Sequence, residues 1–217
     1  MDKFSTIEKE FKAKANHGIA IKMSAYMRDK FKYYGLATPI RKSVYKDFLS
    51  AEKKAGKVDW DFLDKCYQSD YREFQYLVID YLVALERFIE FEDVPRIEKY
   101  IKTKQWWDTI DGLDRIIGNI KDSRISNLMI SYSLSDDFWV RRIAIDHQLC
   151  RKDKTDAELL GKIILNNLGS SEFFINKAIG WALRDYSKYN VEWVRSFVSK
   201  YKNEMNSLSV REASKYL

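Results

Sequence analysis

The stretch D-Y-R-E-F-Q-Y-L-V-I-D-Y-L-V-A-L, residues 70–85, carries apolar side chains at Phe74, Leu77, Val78, Tyr81, Leu82 and Leu85. Steps of three and four place all six on one stripe of an α-helix. The stretch opens with Asp70 and Glu73 at the spacing of a capping box, a local signal for a helix start. Thr155 with Glu158 and Ser209 with Glu212 repeat that signal, and Thr38-Pro39 sets a capping hydroxyl before a proline at the first helical position. A second stripe includes Ile143, Ile145, Leu149 and Cys150. Read this way, the chain is helical nearly throughout. Helices are predicted near 3–14, 20–31, 39–50, 59–67, 71–88, 92–102, 106–119, 123–133, 136–150, 155–167, 171–187, 191–203 and 209–217.

Helix starts near 70, 106, 136, 171 and 209 recur at a nearly constant interval, with one other helix inside each. That cadence predicts an all-α solenoid of two-helix repeats of the HEAT type, whose period is about 40 residues. The expected architecture is one curved domain over residues 1–217 with a concave basic groove. Repeats share negligible sequence identity, so a compact helical bundle is the alternative.

Composition agrees with long helices. Of 217 residues, 46% are hydrophobic, with 6 Trp, 14 Tyr and 12 Phe, so the chain has a core to bury. Gly 8 and Pro 2 are too few for Gly-rich nucleotide loops or a turn-rich β-sandwich. No run of about 18 apolar residues or signal-peptide pattern is present, so neither a membrane span nor export is expected. Cys66 and Cys150 lie within helical patterns and read as buried free thiols of a reducing, cytoplasmic compartment. His17 and His147 are the only histidines and have no second ligand at metal spacing, so no metal is expected. Lys and Arg number 38 against 32 Asp and Glu, a net charge of +6. The isoelectric point near 9.1 just reaches the range, about 9, in which a nucleic-acid partner is worth considering.

The residues that packing explains least fall on the recurrent helices. Trp107 and Asp111 in W-W-D-T-I-D (106–111) share a face at a spacing of four. Trp139 shares one with Arg142, and Trp181 lies beside Arg184 and Asp185; Arg211 opens the last helix. Each alone has an ordinary reading: a core tryptophan, a capping aspartate, a solvated arginine face. Together they would line one surface of a solenoid.

The segments M-S-A-Y-M-R-D-K-F-K-Y-Y-G-L-A-T-P (23–39), W-W-D-T-I-D (106–111), F-W-V-R-R-I-A-I (138–145), F-F-I-N-K-A-I-G-W-A-L-R-D-Y (173–186) and L-S-V-R-E-A (208–213) follow one order. In that order the whole chain resembles the AlkD-type DNA alkylation repair glycosylases, a HEAT-like repeat family. The resemblance implies a bacterial, monomeric, cofactor-free enzyme. Its implied substrates are purines carrying cationic alkyl lesions in double-stranded DNA, such as 3-methyladenine and 7-methylguanine. Position by position, Asp111 matches the catalytic aspartate, and Trp107 and Trp181 match tryptophans flanking the lesion. Arg142 matches an arginine on DNA phosphate, and Arg184 and Tyr26 match groove-lining positions. Two stretches depart from the family pattern. Gly112-Leu113-Asp114-Arg115 brings charge where small or apolar residues are usual. Asn16–Lys22, matching a short helix that enters the minor groove, contains helix-weakening Gly18. Other readings are a non-catalytic DNA-binding relative and a scaffold whose groove holds an acidic partner helix. The second leaves the Trp and Asp arrangement without a reason.

Overall fold

The structure, a computed structural model, describes residues 2–217 and is all-helical. Among the described residues the one strand-like pairing is an isolated parallel bridge between Lys32 and Tyr71. No helix among them is long and apolar enough to cross a membrane. The residues group into two compact units, the first ending at Ile89 and the second running Glu90–Leu217.

The first unit holds α1 (Lys3–Ala13), α2 (His17–Tyr26), α3 (Thr38–Ala55), α4 (Trp60–Gln68) and α5 (Arg72–Ala84). Its core is aromatic: Phe74 of the α5 stripe stacks on Phe4 at 4.5 Å and meets Phe11 at 5.1 Å. The six stripe residues predicted from the sequence are all fully buried. Helix α2 is different, because none of its residues is buried and Ile21 and Tyr26 stand exposed. It begins three residues earlier than the sequence suggested. Asn16 caps it by accepting the Ile19 N–H, which offsets the weak propensity of Gly18. It also ends sooner, since Arg28 and Asp29 adopt left-handed backbone (φ 57° and 56°).

The predicted capping boxes are not what holds these ends. Helix α5 has Tyr71 at its N-cap with no side-chain cap, and Asp70 pairs outward with Lys32. Glu73 is instead fully buried, and its carboxylate accepts the backbone N–H groups of Tyr34, Gly35 and Leu36 at 3.1, 2.9 and 3.2 Å. Gly35 is required there. Its φ is +84°, and a Cβ would collide with the Asn16 carbonyl. Burial pushes the Glu73 carboxyl above its ordinary range, against the pull of those N–H groups. Glu73→Gln sets an amide donor against backbone donors that have no other acceptor of this kind. It should lower stability by about 1.5–3 kcal/mol, read as a drop in the urea midpoint at unchanged slope.

The second unit contains α6 (Val94–Ile101), α7 (Trp107–Gly118), α8 (Arg124–Tyr132) and α9 (Phe138–Asp146). It continues through α10 (Ala157–Leu165), α11 (Phe173–Ser187), α12 (Val191–Tyr201) and α13 (Ser207–Ala213). Helices α7, α9, α11 and α13 start at intervals of 31, 35 and 34 residues, as the sequence cadence predicts. They pack in series, α7 on α9, α9 on α11 and α11 on α13, while α6, α8 and α10 flank them. Serial stacking of this kind is compatible with an α-solenoid. Two glycines permit the close approaches. A Cβ on Gly118 would strike the His147 carbonyl, and one on Gly180 would lie 2.5 Å from the Glu212 Cβ.

Other caps are also corrected here. Asp156, not Thr155, caps α10, and Asn206 caps α13. Thr38 lies inside α3, which has Ala37 at its N-cap and no side-chain cap. Cys66 is buried as predicted, but Cys150 is exposed. The helix predicted to run to 150 ends at Asp146, and Cys150 sits in a turn with φ +67°.

Candidate active site

Three of the recurrent helices bring the candidate residues of the second unit together. Asp111 lies one turn into α7, after Trp107, with both on one helix face as their spacing requires. Trp107 is half-buried, and the Asp111 side chain is 22% exposed. From α9, Arg142 reaches the Asp111 carboxylate with two parallel hydrogen bonds, Nε to Oδ1 at 2.7 Å and Nη2 to Oδ2 at 2.9 Å. Its remaining nitrogen, Nη1, donates to the Phe174 carbonyl of α11 at 2.7 Å. One guanidinium thus ties three helices. Such a bidentate fork fixes the plane of the carboxylate as well as its charge.

Arg142 lies deeper than a phosphate-binding residue on a solvated face would. It is 2% exposed and sits beneath Asp111. Burial alone would weaken its hold on the proton, but the carboxylates of Asp146, Asp111 and Asp114 outweigh that and keep it charged. Its guanidinium carbon is also 5.5 Å from the centre of the Trp181 ring. Lys177 and Arg184 approach the same ring at 5.6 and 6.0 Å. The indole is half-buried in a cationic surround, a setting its electron-rich face favours.

The partner of those cations is Glu212 on α13. It pairs with Lys177 at 2.9 Å, Arg184 at 2.6 Å and Lys215 at 2.8 Å. Hydrogen bonds from Lys215 and Lys177 hold its carboxyl down at about 2. Ser209, the other half of the supposed capping box, donates to the Asn176 carbonyl of α11 at 2.8 Å. Both residues are ties between helices rather than caps.

Tyr26 stands 71% exposed at the end of α2, in the first unit. Trp139, grouped with Arg142 in the sequence, is core: it packs against Phe174 at 4.7 Å and Trp106 at 5.8 Å. Arg211 is exposed. The structure also contains what the sequence did not single out. Asp146, one turn after Arg142, is buried with its Oδ2 3.6 Å from Arg142 Nη2, too long for a hydrogen bond. Asp114, noted only as an unexpected charge, is buried one turn after Asp111. Among the described residues no group of three or more His, Cys, Asp or Glu side chains is arranged to hold a metal ion.

No curated protein matches the chain. Among solved structures it is similar to that of a predicted DNA alkylation repair enzyme from Enterococcus faecalis. That chain is 33% identical, with a TM-score of 0.84 over 94% of this chain and 96% of the other. Residues 7–217 match the model of a family described as DNA alkylation repair enzyme, and the chain belongs to that family.

Proposed function

We propose that the protein is a monofunctional DNA glycosylase, a cytoplasmic, monomeric enzyme acting through one continuous repeat domain. It hydrolyses the N-glycosidic bond of cationic alkylpurines, 3-methyladenine and 7-methylguanine, in duplex DNA. The observation that carries this reading is the partly exposed Asp111 carboxylate held in plane by Arg142.

The chemistry needs little else. An alkylpurine cation is already a good leaving group, so no general acid has to protonate it. As the bond from C1′ breaks, its electron pair neutralises the purine and positive charge grows on the deoxyribose. A fixed carboxylate lowers the energy of that charge without reorganising at the moment of reaction. Asp111 would also orient the water that adds to C1′ and take up its proton. Trp107 and Trp181 would flank the sugar with electron-rich ring faces. Arg184 and Tyr26 would contact the backbone, and Arg142, engaged beneath Asp111, would reach phosphate only by releasing one of its present partners.

The deciding experiment is incubation of the protein with methylated duplex DNA, followed by chromatographic detection of free 3-methyladenine and 7-methylguanine. Release above the spontaneous rate supports the reading; duplex binding without release supports a non-catalytic relative instead. For the DNA contact, Arg184→Ala should weaken binding to damaged and undamaged duplex equally, because phosphate contacts carry no base information. The salt dependence of binding should become shallower by about one unit. An unchanged slope would make Arg184 solely the partner of Glu212.

A further inference from the structure

Behind the Asp111–Arg142 pair lies a second acidic layer. Asp146 is 1% exposed, and neither of its oxygens has a hydrogen-bond partner among the described residues. Asp114, equally buried, accepts the Arg115 backbone N–H through Oδ1, which also lies 3.5 Å from Arg115 Nε, and its Oδ2 has no hydrogen-bond partner among the described residues. A buried carboxylate without donors is a rare and costly arrangement. Nη2 of Arg142 therefore faces two acids, the partly exposed Asp111 at 2.9 Å and the buried Asp146 at 3.6 Å.

The groups around Asp146 can be named helix by helix. On α9 it is Arg142, and His147 follows at the helix end with Nδ1 donating to the Ala144 carbonyl at 2.6 Å. On α7 they are Asp111, Asp114 and Arg115. Helix α11 contributes the Phe174 carbonyl on Arg142, and its cations Lys177 and Arg184 are committed to Glu212. The buried side chains of α8 and α10 carry no charge. Three carboxylates thus share one buried cation, and they cannot all ionise freely.

We propose that Asp146 is a positioning residue that sets how much of Arg142's charge neutralises Asp111. This rests on the glycosylase reading for its catalytic consequence, though not for its electrostatics. With Asp146 protonated, Arg142 is balanced by Asp111 alone and Asp111 offers little net charge to a developing sugar cation. With Asp146 ionised, Arg142 is shared between two carboxylates and net negative charge returns to the Asp111 side. Burial, opposed by Arg142, pushes the Asp146 carboxyl up to about 7, so the exchange falls near neutral pH. Burial and the neighbouring Asp146 push the Asp114 carboxyl above its ordinary range as well.

The test has two arms. In protein without DNA, the side-chain carboxyl carbon of Asp146, followed by carbon NMR, should titrate near neutral pH and shift to lower pH by about one unit in Asp111→Asn, which frees Arg142 for it. Absence of a neutral titration, or no movement in the variant, overturns the proposal whether or not bases are excised. In the second arm, single-turnover release of 7-methylguanine, corrected for spontaneous loss, should rise about fivefold from pH 5.5 to 8 in the wild type. Asp146→Asn, which keeps the shape, should be flat at the low-pH rate. A variant that retains the wild-type profile overturns the proposal. Titration as expected with no release at any pH refutes the glycosylase reading and upholds the charge sharing.

Discussion

Asp111→Asn is expected to reduce single-turnover release of 7-methylguanine by about a hundredfold or more, with affinity for duplex DNA little changed. The magnitude follows from the loss of one fixed group facing charge in a transition state, about 2.7–4 kcal/mol at oxyanion sites, carried here to a carboxylate facing a cation. The structure adds a cost that must be separated from catalysis. Asp111 is the bidentate partner of buried Arg142, and an amide can accept one of those bonds but meets the other with a donor. Asp146 lies 3.6 Å from the same Nη2 and can supply the missing charge, so stability should fall by only about 1–2 kcal/mol. Measuring excision well below the variant's melting temperature keeps the two effects apart. If the variant melts earlier and still releases the base at the wild-type rate, Asp111 is a structural anchor for Arg142 and the proposed mechanism fails.

How far the sequence carried can be seen in the residues it read well and badly. Period and helix type were legible because a 3.6-residue stripe such as Phe74–Leu85 must be buried somewhere, whatever it packs against. The repeat phase was legible too. Asp111 and Arg142 lie 31 residues apart, one repeat, which put them in adjacent layers before any contact was known. The contact itself was not, because whether an arginine on a helix faces solvent or a carboxylate depends on the rotation of its neighbour. Glu73 and Glu212 show the same limit. Ser or Asp followed three residues later by Glu is the signature of a capping box, but it is also a one-turn spacing, which suits side chains reaching toward another element. In both cases the tertiary contact won: Glu73 caps the 34–36 backbone, and Glu212 gathers three cations. Asp146 gave no signal. An aspartate inside a predicted helix over 136–150 reads as part of its solvated face, and only the packing of α7 and α9 shows it to be enclosed.

Asp146→Asn is expected to be more stable than the wild type at pH 8, with the advantage vanishing at pH 4. The sign follows from linkage. A carboxyl whose folded value is raised binds a proton more tightly when folded, so its favourable contribution is complete below the unfolded value. That contribution then declines as pH rises toward the folded value. For Asp146 the decline runs from its ordinary 3.8 to about 7. At about 1.36 kcal/mol per pH unit this is at most ~4 kcal/mol, reduced to about 2–3 by its coupling to Arg142 and Asp111. The wild-type profile alone hides the effect. His147, buried and held down at about 4, works the other way, because its folded form resists the proton that the unfolded chain takes up below 6.5. Its contribution grows as pH rises from about 4 to 6.5 and then levels. The two opposing slopes overlap between pH 4 and 6.5, on top of the decline from other raised carboxyls such as Glu73, so the difference between the wild type and Asp146→Asn is what isolates Asp146. Urea unfolding of both proteins at pH 4, 5, 6, 7 and 8 gives the difference directly. It should start near zero and climb to about 2–3 kcal/mol by pH 7–8. A difference independent of pH would mean that Asp146 keeps one protonation state over the whole range, and the raised carboxyl behind the Asp111–Arg142 pair would be wrong.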